Sequence, residues 1–358
     1  MVRHARPSVW AFLSWRAGES QQILGLAEAL ERSLDAEVRI IRPRWTPVAS
    51  TLGLLRRVDL GGIDAATREG FGARSPDVLV TSGLRNEPVA RWLAARSRGH
   101  TVTVLLGRTW APHDAFDLVV TTPQYRLRPH PHLLANAGTI HRLSAERLAE
   151  ARAHWAPRYA ELPRPRLGVL VGGDSGPFHL GPRNAARLAE RARDLAGAGS
   201  ILGTTSSRTP AVAADLLADA LPDADLWRWH PEEENPYFGI LAWADALLVT
   251  GDSIAMASEA VATGLPVRIF DLGGMRGPGS GVRDETAKTR AYSLLMRYGH
   301  PRLSRDLAPA HEALIARGSA AWDDAALPPE LPGTPPVPRT DDVDAAVARI
   351  DDLLERRR

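Results

Sequence analysis

Four stretches of this 358-residue chain combine glycine, hydroxyl and charged residues in patterns that do chemistry. The first is Trp15-Arg16-Ala17-Gly18-Glu19-Ser20-Gln21-Gln22, which follows an apolar run. Gly18 permits a tight turn, Ser20 is a helix-capping type, and Glu19 is then the carboxylate offered to a ligand. The same Glu19 also suits plain neutralisation of a helix N-terminus. The second is Val171-Gly172-Gly173-Asp174-Ser175-Gly176-Pro177. Paired glycines beside a serine, between a strand and a helix, form a nest of N–H groups for phosphate, although a structural turn has the same composition. The third, Thr204-Thr205-Ser206-Ser207-Arg208-Thr209-Pro210, sets hydroxyls around one guanidinium. That is an anion site, or a helix cap with a surface arginine. The fourth joins Asn235-Pro236-Tyr237 to Val249-Thr250-Gly251-Asp252-Ser253 and continues through Met256 and Glu259 to Gly264-Leu265-Pro266. Gly251, Asp252 and Ser253 open a helix and so cradle a phosphate. Glu259, under two turns further on, accepts hydrogen bonds from a ribose diol.

Other chemistries are excluded or lack support. The chain has no Cys, so disulfide scaffolds, thiolate metal sites and cysteine nucleophiles are ruled out. Lys288 is the only lysine and stands in no phosphate-loop context, which sets aside Walker-type binding and Schiff-base chemistry. His4, His113, His130, His132, His141 and His179 lack ligand spacing on a common element, so no metal is expected and most read as surface residues. The formal net charge is +2, divided unevenly: residues 1–150 carry +6 and the remainder −4. A basic first half suits an acidic substrate or an anionic membrane surface, or is simply a solvated arginine face. Arg42-Pro43-Arg44-Trp45 and Leu54-Leu55-Arg56-Arg57 interleave basic and apolar side chains as a bilayer-surface segment does. No nucleic-acid module appears. The run Val9–Leu13 is too short for a signal-peptide core, and no stretch approaches a membrane span. The expected location is the cytoplasm, with peripheral attachment to the inner face of a membrane as a variant.

The elements that must position these residues alternate in βαβ rhythm. Strands are expected at Val9–Ser14, Glu37–Ile41, Val78–Thr81, Val102–Leu106 and Leu118–Thr121, with helices at Ser20–Leu34 and Pro88–Ala95. A helix at Glu150–Tyr159 and a stiff Pro163-Arg164-Pro165-Arg166 linker interrupt the rhythm. A second series follows, with strands at Leu167–Val171, Ser200–Thr204, Asp225–Trp229, Ala246–Thr250 and Pro266–Phe270. Helices are expected between them at Pro182–Ala196, Pro210–Ala220, Pro236–Ala242 and Ile254–Thr263. The fold class is therefore α/β, with two Rossmann-like domains whose parallel sheets face a central cleft. The expected domains are 1–160 and 165–325. Residues 326–358 form a Pro-rich crossing and a terminal helix, Asp341–Arg357.

The fourth stretch, with Gln22-Ile23-Leu24-Gly25-Leu26-Ala27, Pro76-Asp77, Ser82-Gly83, Asn136-Ala137-Gly138-Thr139 and Ser206–Pro210, resembles the elongated-mitochondria (ELM) family of mitochondrial-fission proteins. That family is in turn similar to the two-domain, B-type glycosyltransferases of the MurG kind. The resemblance implies a metal-independent transferase that takes a nucleotide-diphospho-sugar as substrate and needs no cofactor. The donor side would comprise Gly172, Gly173, Ser175, Ser206, Ser207, Arg208, Asn235, Tyr237, Gly251, Asp252, Ser253, Met256 and Glu259. Gly18, Gln22, Ser82, Arg85 and Arg108 would lie on the acceptor side, with Glu19 as general base on an acceptor that is lipid-linked in one version. Two departures fall on that side. Family members tend to carry Glu-Asn-Gln where this chain has Ser20-Gln21-Gln22, and an acidic or His-Asp pair near Gln124-Tyr125. Two alternatives stand beside the transferase. One is a nucleotide-sugar 2-epimerase drawing on Glu19, Asp174 and His179, and the other is a non-enzymatic adaptor that keeps the fold for membrane or partner recruitment.

Overall fold

The computed structural model describes residues 6–277, 280–299 and 304–357. His4 lies outside them. The chain forms two compact units, one of residues 1–142 and 341–358, the other of residues 143–340.

In the first unit the chain runs β1 (Ser8–Phe12), α1 (Ala17–Leu34), β2 (Glu37–Ile41), α2 (Ala49–Leu54), α3 (Ala65–Glu69), β3 (Val78–Ser82), α4 (Glu87–Arg96), β4 (Val102–Leu106), β5 (Leu118–Thr121) and β6 (Leu133–Ala135). All pairs are parallel, in the order β2-β1-β3-β4-β5-β6. β3 and β4 are buried at every position, which is why they read as unbroken apolar runs rather than as alternation. One sheet face packs on Ile23, Leu26 and Leu30 of α1. The other face packs Trp10 and Phe12 against Phe71, Val89 and Leu93. The C-terminal helix Asp341–Glu355 returns to this unit and buries Val343, Val347, Ile350 and Leu354 beside α1. Its start is fixed by Asp342, whose carboxylate accepts the Gly138 N–H at 2.9 Å while its carbonyl accepts from Asn136 Nδ2 at 2.9 Å.

The second unit contains α5 (Ala145–His154), α6 (Ala156–Tyr159), β7 (Arg166–Leu170), α7 (Pro182–Ala196), β8 (Ser200–Thr204), α8 (Ala211–Ala220), β9 (Asp225–Trp227), α9 (Tyr237–Trp243), β10 (Ala246–Thr250), α10 (Ile254–Ala262), β11 (Val267–Phe270), α11 (Ala287–Tyr298), α12 (Ala308–Ile315) and β12 (Ala320–Trp322). Its parallel order is β12-β11-β10-β7-β8-β9. Apolar cores cover both faces, one built on α7 and α8, the other on α9 and α10.

The α/β class and the paired parallel sheets are those expected. The division of the chain differs from 1–160, 165–325 and 326–358. α5 belongs to the second unit because Trp155 closes over Gly239 of α9, where a Cβ would lie 2.4 Å from the indole. The Pro163–Arg166 stretch is no linker. Arg164 is ion-paired with the buried Asp245, and the Arg166 N–H donates to the same carboxylate at 2.8 Å. Gly18 makes no turn either, since α1 begins at Ala17 and includes it. Ser20 is likewise inside the helix, where its hydroxyl donates to the Ser14 carbonyl at 2.8 Å instead of capping.

Candidate functional site

A parallel sheet that grows in both directions from its first strand leaves a crevice at the point of reversal. In the second unit that point lies between β7 and β10, so the loops 171–177 and 251–253 meet there. Asp252 ties them together. Its carboxylate accepts from the Thr250 hydroxyl at 2.7 Å and the Gly173 N–H at 3.0 Å, and pairs with Arg208 at 2.9 Å. The side chain is fully buried. Burial pushes its carboxyl above the usual range, while Arg208, Thr250 and Gly173 pull the other way. Both glycines are forced by this packing. A Cβ on Gly172 would stand 2.4 Å from Asp252 Oδ1, and one on Gly173, whose φ is +156°, would stand 2.1 Å from the Arg208 carbonyl oxygen.

The expected nest of free N–H groups is not what these glycines build. Gly172 donates to Thr250 Oγ1 at 2.7 Å, Gly173 to Asp252, Asp174 to the Arg208 carbonyl at 3.2 Å and Ser175 to the Phe178 carbonyl at 3.0 Å. Nor is the start of α7 open to an anion, because Asp284 already accepts the Asn184 N–H there at 2.8 Å. Instead, cationic side chains converge on the loop. Arg208 reaches it from beyond β8 and donates to the Asp174 carbonyl at 3.2 Å. Arg305, from the segment before α12, donates to the Ser175 hydroxyl. His179 Nδ1 and Asp174 Oδ1 are 2.6 Å apart, which directs Nε2 away from the carboxylate. Arg305 escaped the sequence reading because it lies 130 residues from Ser175 in no motif. His179, a candidate in the epimerase alternative, is partly buried.

The remaining donor-side candidates fall along the same carboxyl edge of this sheet, several in supporting positions. Ser206 donates to the Gly172 carbonyl at 2.6 Å and so fastens the third stretch to the second, while Ser207 is exposed. Asn235 Oδ1 accepts from the Tyr237 N–H at 3.0 Å and from Thr204 Oγ1 at 3.3 Å. The Tyr237 hydroxyl donates to Glu259 Oε2 at 2.5 Å, so this carboxylate already has a partner on α9. Burial and then Glu259 hold the Tyr237 hydroxyl protonated far above neutrality. Ser253 caps α10 by accepting from the Met256 N–H at 3.5 Å, and Met256 packs on the core. Below Gly251, His311 Nε2 donates to the Gly251 carbonyl at 2.8 Å. Burial lowers the His311 pKa to about 4, so the ring is neutral at pH 7.

In the first unit the reversal lies between β1 and β3, and Glu19 occupies it. Its Oε2 accepts from the Ser14 hydroxyl at 2.5 Å and would lie 2.5 Å from a Cβ on Gly83, whose φ is +89°. Arg16 approaches Oε1 at 3.5 Å. Trp15, half-exposed beside it, is flanked by the guanidiniums of Arg85 at 4.5 Å and Arg16 at 5.0 Å. Arg85 also donates to Ser50 Oγ at 2.8 Å. Ser82 is buried and spends its hydroxyl on the Leu106 carbonyl at 2.8 Å, which removes it from the ligand side. Arg108 lies over Trp110 and Tyr125, and Gln22 lines a small cleft described below. The loop after β4 is pinned by Glu87, which the sequence reading missed. It is buried and accepts the N–H groups of Trp110 at 2.8 Å and Ala111 at 2.9 Å. Burial lifts its pKa to about 7 against those hydrogen bonds.

Trp45 is not a surface anchor, since it packs edge-on against Phe12 at 6.0 Å. Val48, Leu54, Leu55 and Val58 are exposed, as are Arg56 and Arg57. The histidines His113, His130 and His132 meet edge-on and at a tilt, with 5.3 and 5.4 Å between ring centroids, although no group of metal-binding geometry is found among the described residues. Among those residues no helix is long and apolar enough to cross a membrane.

Two doubly wound units with ligand-side loops at each reversal place the chain in the broad class of two-domain Rossmann-like proteins. The family model of Mitochondrial fission ELM1 matches residues 17–288, and the chain belongs to that family. The Mitochondrial fission protein ELM1 of Arabidopsis thaliana is 26% identical over 242 residues, 61% of this chain and 57% of that protein. The match therefore spans little more than half of the plant relative. Among solved structures, MurG of Acinetobacter baumannii is similar over 97% of this chain and 99% of its own, at 13% identity and a TM-score of 0.45. A putative UDP-N-acetylglucosamine 2-epimerase of Listeria monocytogenes is similar over 87% and 94%, at 14% identity and a TM-score of 0.47.

Proposed function

We propose that this chain binds a nucleotide-diphospho-sugar at the β7/β10 reversal of its second unit and transfers the sugar. The observation that carries the reading is the convergence of Arg208, Arg305 and the Asp174–His179 pair on one glycine loop. Guanidinium donors from separate elements suit a diphosphate and the charge it gains on leaving. Glu259, set by Tyr237, takes the ribose, and Glu19 serves as base on an acceptor hydroxyl in the first unit. Ser14 steadies that carboxylate and yields to the acceptor. The exposed Val48, Leu54, Leu55 and Val58 with Arg56 and Arg57 favour an acceptor presented at an anionic membrane surface.

A second reading, a nucleotide-sugar 2-epimerase, is favoured by one observation, the 2.6 Å contact of His179 with Asp174, since an oriented imidazole is a competent proton carrier. Solvent-isotope exchange at the sugar C2 separates the two. The main test is thermal stability against a panel of nucleoside diphosphates and nucleotide-sugars, with Glu259→Ala alongside. A ligand at about 100 times its Kd adds about 2.7 kcal/mol. A shift with one nucleotide that the variant loses supports the donor site. No shift with any of them leaves the adaptor reading, for which flotation with anionic vesicles is the direct assay.

A further inference from the structure

In the first unit a cleft opens at the carboxyl ends of β4 and β5, lined by Gln22, Gly107, Thr121, Gln124, Tyr125 and Gly138 among others. Its base has room for about one water-sized group. Two of its lining side chains hold polar atoms without a hydrogen-bond partner, Thr121 Oγ1 and Gln124 Oε1, and each residue is only 4% exposed. Orphaned polar atoms at this depth are costly, and a group that reaches them with the right hydrogen-bonding character offsets that cost. The amide is oriented by Thr122, whose Oγ1 accepts from Gln124 Nε2 at 3.0 Å, so the carbonyl is the end left over. Gly107, at φ +92°, carries no side chain into the space, and a Cβ there would meet the Tyr125 ring at 3.6 Å.

The lining decides the ligand. No charged side chain is among it, so an ion would be buried uncompensated. A carbonyl oxygen demands a donor, and a threonine hydroxyl accepts either role. Turning the Gln124 amide over would replace the orphan carbonyl with an orphan N–H₂. A hydroxyl, both donor and acceptor, answers either arrangement. Gln22 stands one turn after Glu19 on α1, so one helix carries both a lining residue of the cleft and the carboxylate. We propose that this cleft receives one alcoholic hydroxyl of a neutral sugar or polyol. Its use in catalysis rests on the transferase reading, in which the hydroxyl belongs to the acceptor, but its binding does not.

The test uses the full chain without nucleotide, and measures saturation transfer by NMR to methyl glucoside, N-acetylglucosamine and myo-inositol, with glucuronate as the charged control. Transfer to at least one neutral probe and none to glucuronate is expected. Thr121→Val and Gln124→Leu should each weaken it about tenfold, the loss of one buried hydrogen bond. Thr121→Val should also melt no lower than the parent, because it removes an unpartnered hydroxyl. The proposal is overturned if no neutral probe receives transfer, as when the cleft holds only water. It is equally overturned if both variants keep the transfer, or if Thr121→Val melts well below the parent. Because no nucleotide is present, failure of the donor site leaves this result standing, and failure here leaves the donor site untouched.

Discussion

The two sheets share a winding, yet the carboxylates at their points of reversal are treated in opposite ways. Glu19 touches a hydroxyl and an outlying guanidinium, and about a quarter of its side chain remains exposed. Asp252 is fully buried and holds three partners, Thr250 from its own stretch and Gly173 and Arg208 from the second and third. Position in the topology therefore does not fix the role. A carboxylate with one hydroxyl partner can exchange it for a ligand, whereas one that saturates a buried ion pair and a glycine loop is part of the frame. Asp252, expected among the donor contacts, is better understood as the residue that sets Arg208 and Gly173 in place.

The sharpest way to break this comparison is to remove each carboxylate. Asp252→Ala leaves Arg208 and the Gly173 N–H without their acceptor and should cost about 3 kcal/mol in denaturant unfolding. Glu19→Gln should cost under about 1 kcal/mol while abolishing transfer, because its neighbours still find an amide oxygen. Equal losses from the two would remove the distinction.

Glu87 and His311 should also answer pH in opposite directions. Glu87 has its pKa raised from 4.5 to about 7, so the folded first unit binds the proton more tightly than the unfolded chain. Its contribution is complete below pH 4.5 and is lost as pH rises toward 7. His311 has its pKa lowered from 6.5 to about 4, so its contribution is complete above pH 6.5 and is lost as pH falls toward 4. Each amounts to about 3 kcal/mol at most. Melting followed across pH 4.5–7 should lose a contribution that falls with rising pH in Glu87→Gln, and one that grows with rising pH in His311→Gln.

Gly172→Ala drives a methyl against Asp252 and should cost about 2 kcal/mol in the second unit. At the small end, Arg6→Ala deletes an ion pair exposed on both sides, and should change stability by less than about 0.5 kcal/mol.

Much of the frame was legible because buried parallel strands announce themselves. Val78–Ser82, Val102–Leu106 and Ala246–Thr250 are apolar runs ended by turn residues, and they are strands. α11 was not read from the sequence, and in the structure only Thr289 along it is buried. β6 and β12, three residues each, are too short to show a pattern. In the candidate site the glycines were found with two purposes left open, a phosphate nest and a structural turn, and their N–H groups are paired within the protein as in the second. Gly172 and Gly173 look like a phosphate nest in sequence, and only the tertiary structure reveals Asp252 and Arg208 filling that space. Arg305 and Glu87 act through partners 130 and 23 residues away, a relation that no local spacing encodes.

The most direct test of the central claim is ³¹P NMR of the full chain titrated into UDP, GDP, ADP and dTDP, repeated with Arg305→Ala. The account predicts that the phosphorus resonances of one nucleotide shift and broaden, and that the variant loses most of the effect while keeping the parent's fold. Unperturbed resonances for all four nucleotides, or an effect that Arg305→Ala leaves intact, would contradict it.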